Sequence, residues 1–250
     1  TQRLKLYLRE RPYLTDVLPV VHRFGVHVVD ATLTEIAAST LPSLWVVSFR
    51  IEPMTGPEDA SGAVEARVLD GLRAALSGRV ASDELNRLVR VAGLDWRAVD
   101  VIRAYLEYAR QIGQAPAWTL GCDALARHPE ATRALAALFH ARFDPDLEAR
   151  REPALAGAAS ALAAARVPIR SAAEDRVFGV LESLIRATLR TSFFAAASPA
   201  DPHELALKLD SRAIAGIPAP VPVCEIFVHS SEFIGIHLRG GKVARGGLRW

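Results

Sequence analysis

The 250 residues carry 30 Lys and Arg against 28 Asp and Glu, a net charge of +2, and half of them are hydrophobic. That is enough chain for one large domain or two to three small ones with a real core, and the near-balanced charge gives no general case for nucleic acid or an anionic membrane as partner. No apolar run approaches the ~20 residues of a membrane helix, and the two lone cysteines, Cys122 and Cys224, form neither a disulfide framework nor a zinc pattern, so a reducing cytoplasm is the expected location.

The first residues, TQRLKLYLRE, show no initiator Met and no signal-peptide layout. Both ends of the chain read as internal to a longer polypeptide. Leu4, Leu6 and Leu8 alternate with Arg3, Lys5 and Arg9, the period of a half-buried strand. Leu14, Val17, Leu18 and Val21 have helical spacing, with Gly25 as the stop. Pro19 fits that helix if it falls in the first turn. VHVVDATLTEIA and LWVVSFRIE are β-branched and aromatic and predict two strands. Strand, helix, strand, strand is the front of a ferredoxin-like or ACT-like α/β sandwich, assigned to residues 1–55. PMTGPEDASG reads as a linker.

Residues 62–195 are expected to form a helical connecting region. In DWRAVDVIRAYLEYARQIG, Asp95 is placed as an N-cap, Val99, Ile102, Leu106 and Ala109 share a face, and Gly113 ends the helix. HPEATRALAALFHARFDP opens with Pro129 and is stopped by Pro145. The Ala-rich ALAGAASALAAAR can be helical, but it offers little bulk to pack and is read as a connector. Ser171 and Glu174 form a capping-box pattern ahead of Val177, Leu181, Leu184 and Ile185, and Arg176, Arg186 and Arg190 are read as the solvated face of that helix. From 200 to 250 the texture is strand-like: LALKLDS, then a proline-punctuated approach, then EIFVHSS and FIGIHLRGG about a short polar turn. The fold class is α+β.

The chain closes on HLRGGKVARGGLRW. Arg239, Lys242, Arg245 and Arg249 are cations, and no acid follows Glu232. Glycine pairs let a backbone approach a ligand, and guanidinium forks bind carboxylate or phosphate. An anion pocket and a glycine-rich turn with solvated charges both fit the composition. A phosphate-binding Gly-x4-Gly-Lys-Ser/Thr loop does not, since position 236 is Ile and Val243 follows the lysine. PHELALK has Leu207 where a zinc-protease helix needs its second His. His22, His27, His128 and His140 are scattered, and Trp96, Tyr105, Tyr108 and Phe139 lie at core spacing. Glu174 and Asp175 are read as acids complementing a helix dipole, not as catalytic carboxylates.

On those closing residues, and on DVLPVVHRFGVHVVD, ELNRLVRVAGLDWRAVDVIRAYLEYARQIG, LFHARFDP and EDRVFGVLESLIRATLRTSFF, the chain resembles the large-subunit class of bacterial NAD-specific glutamate dehydrogenases. The resemblance implies a long homo-oligomeric parent that converts L-glutamate to 2-oxoglutarate and ammonia with NAD. It implies ACT-like and helical regions ahead of a catalytic core, with 200–250 as the start of the substrate domain. An amino-acid effector on an ACT-like regulatory module is the alternative role. Smaller glutamate dehydrogenases read Lys-Gly-Gly-x-Arg here, and their lysine binds a substrate carboxylate. Arg245 stands in that lysine's place, followed by Gly246, Gly247 and Arg249, with Lys242 the competing ligand. The resemblance places no catalytic, NAD-binding or metal residue in this stretch, and the chain by itself is expected to be inactive.

Overall fold

The computed structural model describes residues 2–37, 43–54, 62–195, 204–217, 219–241 and 246–249. The chain is α+β and divides into two compact units, Thr1–Ser77 with Ser82–Trp96, and Gly78–Ala81 with Arg97–Trp250.

In the first unit, β1 (Gln2–Leu8), α1 (Leu14–Arg23), β2 (Val28–Ile36) and β3 (Leu44–Ile51) follow one another. The sheet order is β1-β3-β2, both pairings antiparallel. Inserting β3 between β1 and β2 gives the split βαβ arrangement of a ferredoxin-like layer. Val47, Phe49 and Ile51 on the central strand are at most 1% exposed. Pro19 lies in the interior of α1 and not in its first turn. It removes one helical N–H, and buried Val17 and Val21 hold the helix in spite of it. Gly25 ends the helix at φ +73, a conformation that favours glycine.

α2 (Ala63–Leu76) and the short α3 (Leu88–Val91) also belong to this unit. The packing unit therefore extends past residue 55 and takes in helices that composition grouped with 62–195. The reason is a buried face, Val68, Gly71, Leu72 and Ala74, that the sheet module needs as its second layer. A Cβ on Gly71 would sit 2.5 Å from Cε1 of the buried Phe24. Arg90 donates to the carbonyls of Gly25 and Met54, tying α3 to the turn after α1 and to the stretch after β3.

The second unit holds α4 (Trp96–Gln111, from Arg97 on), α5 (Trp118–Arg127), α6 (Pro129–Phe143), α7 (Arg151–Arg166) and α8 (Ala172–Ala187). Val99, Ile102, Leu106, Leu181 and Leu184, expected on the apolar helix faces, are all buried, and so are Leu135 and Leu138 of α6. The Ala-rich connector is a regular helix, α7, lying along α6. Its small side chains let two helices approach closely although only Leu162 is fully covered. Ser171 caps α8 by accepting the Glu174 N–H at 3.3 Å. The Glu174 carboxylate does not complete the expected box. It accepts from Arg127 and meets His128 Nε2 at 2.9 Å, and the His128 bond is the main cause holding its pKa below the ordinary glutamate value.

α8 stops at Ala187, short of Arg190. The chain turns extended as β4 (Thr188–Thr191), which pairs with β5 (Leu205–Leu209), β6 (Cys224–His229), β7 (Ile234–Arg239) and β8 (Gly246–Arg249) in one antiparallel sheet of order β4-β5-β6-β7-β8. Arg190 is accordingly a strand residue. The Thr188 hydroxyl returns to the Leu184 carbonyl at 2.8 Å and closes the last helical turn there.

Candidate functional site

The glycine-rich segment begins where β7 ends. β6 and β7 run antiparallel from Cys224↔Arg239 to His229↔Ile234, joined by a turn in which Ser230 Oγ accepts the N–H groups of Glu232 and Phe233 at 3.2 and 3.1 Å. At the opposite end of these strands the Val223 N–H donates to the Arg239 carbonyl at 2.8 Å. β8 returns alongside β7, with Gly246 opposite Arg239, Gly247 opposite Leu238 and Arg249 opposite Ile236. Three of the expected site residues, Gly246, Gly247 and Arg249, are thus on one strand of a hairpin. Lys242 and Arg245 lie in its connection, outside the described residues.

Gly240 and Gly241 start that connection. Neither has a left-handed φ, and a side-chain carbon added to either would meet nothing within 4 Å. Neither backbone conformation nor crowding by the chain's own described atoms calls for glycine at these two positions. What a bare backbone still provides there is room for another molecule to come close.

The strands carrying this segment are held from beneath by a polar contact that the sequence reading missed. Residues 225, 227 and 229 alternate on the buried face of β6, against Leu209, Leu207 and Leu205 of β5. Glu225 is 0% exposed, and its Oε2 accepts from the Tyr108 hydroxyl of α4 at 3.1 Å. The Tyr108 ring also packs on Phe227, with centroids 5.4 Å apart. On the same helix, Asp100 and Arg103 form a buried pair at 2.6 Å. The available signal was polar residues three apart on a helix that is apolar around most of its circumference. Tyr105, read only as core, does lie in the core. Its hydroxyl pairs with Thr188 Oγ1 at 2.8 Å, and burial pushes its pKa upward.

Among the described residues no cluster of three or more His, Cys, Asp or Glu is arranged to hold a metal. Cys122 and Cys224 are buried and not disulfide-bonded. No described helix is long and apolar enough to cross a membrane.

Comparison with known proteins decides the family. Residues 1–63 match the family model described as glutamate dehydrogenase, ACT3 domain, residues 80–145 match glutamate dehydrogenase, helical motif 3, and residues 162–250 match bacterial NAD-glutamate dehydrogenase, catalytic domain. The chain belongs to the bacterial NAD-glutamate dehydrogenase family. It is 37% identical over 249 residues to an NAD-specific glutamate dehydrogenase of Halomonas elongata, covering 99% of this chain and 15% of that protein. It is 37% identical over 245 residues to the protein of that name from Mycobacterium tuberculosis, again covering 15% of the relative, and 34% identical over 260 residues to the one from Pseudomonas aeruginosa. The chain therefore spans about 15% of the length of the curated relatives it matches. The catalytic-domain match takes in α8 and β4 as well as β5 to β8.

Proposed function

We propose that the protein to which this stretch belongs oxidatively deaminates L-glutamate to 2-oxoglutarate and ammonia with NAD, and that the β7–β8 hairpin binds a substrate carboxylate. The observation that carries this reading is the pair Gly240 and Gly241, open to approach and demanded by nothing within the described chain, at the head of a connection bearing Lys242 and Arg245. In this reading Arg245 neutralises the carboxylate through two charge-assisted hydrogen bonds. Gly246 and Gly247 keep the backbone low beside it, and Lys242 and Arg249 add positive potential. Tyr108 and Glu225 position β6, and with it the hairpin.

NAD supplies the hydride acceptor in such a reaction, and none of these residues is assigned to it. The chain contains no Gly-x-Gly-x-x-Gly segment of the dinucleotide-binding kind. The functional order we assign is an ACT-like module at 1–55, a helical connecting region at 62–195 and the start of the substrate domain at 200–250. The protein would act in the cytoplasm as a homo-oligomer.

A second role has its own observation. In the first unit, Lys5–Leu8 of β1 and Leu69, Leu72, Arg73 and Leu76 of α2 border a cavity of about 510 Å³. An amino-acid effector fits it, with a carboxylate toward Lys5 or Arg73 and an apolar side chain against the leucines.

The deciding experiment is kinetic and uses the full-length protein. Arg245→Ala is expected to lower kcat/KM for glutamate by about two orders of magnitude, at ~1.4 kcal/mol per decade, while the KM for NAD barely moves. Arg245→Lys is expected to recover part of the loss. A folded Arg245→Ala protein with unchanged glutamate kinetics would transfer the carboxylate role to Lys242, or reduce the motif to a turn. Lys242→Ala separates those two outcomes.

A further inference from the structure

A second cationic site lies away from the glycine-rich hairpin, where α6 ends, α7 begins and β4 runs past both. A cavity of about 480 Å³ is bordered there by Arg142, Phe143, Arg151, Arg190 and Phe194. Among the described residues no carboxylate lines it. None of the three arginines has an acidic partner among the described residues, although most other arginines of this unit's helices do.

Two of the guanidinium groups are fixed by backbone. Arg142 donates from Nε and Nη2 to the Thr188 carbonyl at 3.2 and 3.0 Å. Arg151 donates from Nη1 to the Arg142 carbonyl, and from Nη2 to the Asp144 carbonyl at 3.1 Å. Neutral carbonyls hold the groups in place and leave their charge uncompensated. Asp144 Oδ1 accepts the Asp146 N–H at 3.0 Å, and Glu182 holds Arg186 and Arg166. The Arg142 pKa is lowered first by burial, and the neighbouring Arg186 and Arg151 charges push the same way against the opposing effect of Tyr105. One wall is aromatic. Phe143 and Phe194 both pack on Phe139, with ring centroids 5.1 and 6.2 Å away.

We propose that this cavity binds a small phosphate-bearing anion, held by Arg142, Arg151 and Arg190 with its non-phosphate part against Phe143 and Phe194. Three guanidinium groups from three separate elements exceed what one carboxylate neutralises, whereas a phosphate offers several oxygens and two or more charges to the forks. The fixed guanidinium groups lose little further freedom on binding. The cavity volume lies within the range of ordinary small-ligand sites, roughly 300–1,000 Å³. None of these residues belongs to the hairpin, so the inference stands whether or not glutamate binds there.

Inorganic pyrophosphate is the probe, titrated calorimetrically into the chain at low ionic strength, with glutarate as the dicarboxylate comparison. Saturable binding of one pyrophosphate is expected, with glutarate at least about tenfold weaker. Arg190 is exposed and makes no described side-chain hydrogen bond, so its variants test the site without disturbing the fold. Arg190→Ala is expected to weaken pyrophosphate by about tenfold, near 1.4 kcal/mol, and Arg190→Glu to abolish binding. Arg3→Ala on β1 is expected to stay within about twofold of the parent chain. Absence of saturable binding, an Arg190→Glu chain that binds like the parent, or glutarate binding that equals pyrophosphate and is lost in Arg190→Glu would each overturn the proposal.

Discussion

Tyr108 is the residue on which local chemistry and architecture meet. Its ring serves the core against Phe227, and its hydroxyl serves Glu225, a carboxylate with no exposure to water. A buried acceptor that loses a donor costs more than an average hydrogen bond contributes, because part of its desolvation is no longer offset. Tyr108→Phe is therefore expected to lower the unfolding free energy by about 1–3 kcal/mol. Tyr7→Phe, whose side chain is 61% exposed, is expected to stay within about 0.5 kcal/mol. Urea denaturation of the two variants checks both. The Asp100–Arg103 pair obeys the same rule, since the charges are costly to bury and costlier still to separate once buried.

At the scale of elements, glycine has opposite meanings in two helices. Gly71 in α2 sits where a methyl group would enter the Phe24 ring, and Gly157 in α7 has nothing within 4 Å of its missing Cβ. Alanine gains about 1 kcal/mol over glycine in a helix interior, and overpacking a core costs about 1–3 kcal/mol. Gly71→Ala is accordingly expected to destabilise by about 1 kcal/mol net, and Gly157→Ala to stabilise by about 0.5–1 kcal/mol. Opposite shifts in denaturation midpoint are the check. α7 itself is held less by its own bulk than by its end. Arg166 binds Asp175 through two bonds of 2.8 and 3.0 Å and Glu182 at 3.0 Å, pinning α7 to α8. The Asp175 carboxyl is held below the usual aspartate range by that guanidinium.

For the whole molecule, the reading proposed above gives this stretch a carboxylate clamp and assigns none of its residues to hydride transfer. Purified chain mixed with glutamate and NAD is expected to produce no NADH above a control preparation, measured by absorbance. Clear turnover would place the complete chemistry within these residues. The packing units cut across the order of the family matches. The ACT3 match ends at 63, yet the unit built on that sheet continues through α2 and α3 to Trp96. A small sheet module requires a covering layer, and the next amphipathic helix in the chain supplies it.

Periodicity made α1, α4, α6, α8 and six of the eight strands legible, because alternation and 3.6-residue spacing are local properties of sequence. Residue type alone left the closing Gly and Arg residues open between an anion pocket and a glycine-rich turn with solvated charges. Three features were settled only by packing. The tetrapeptide Thr188–Thr191 continues a helical pattern, and pairing with β5 turns it into a strand. Pro19 sits inside a helix because tertiary burial of Val17 and Val21 outweighs one lost hydrogen bond. Arg142, Arg151 and Arg190 border one cavity although 48 positions separate the first from the last. No local pattern encodes such a meeting: it follows from where a helix end, a helix start and a strand come to rest.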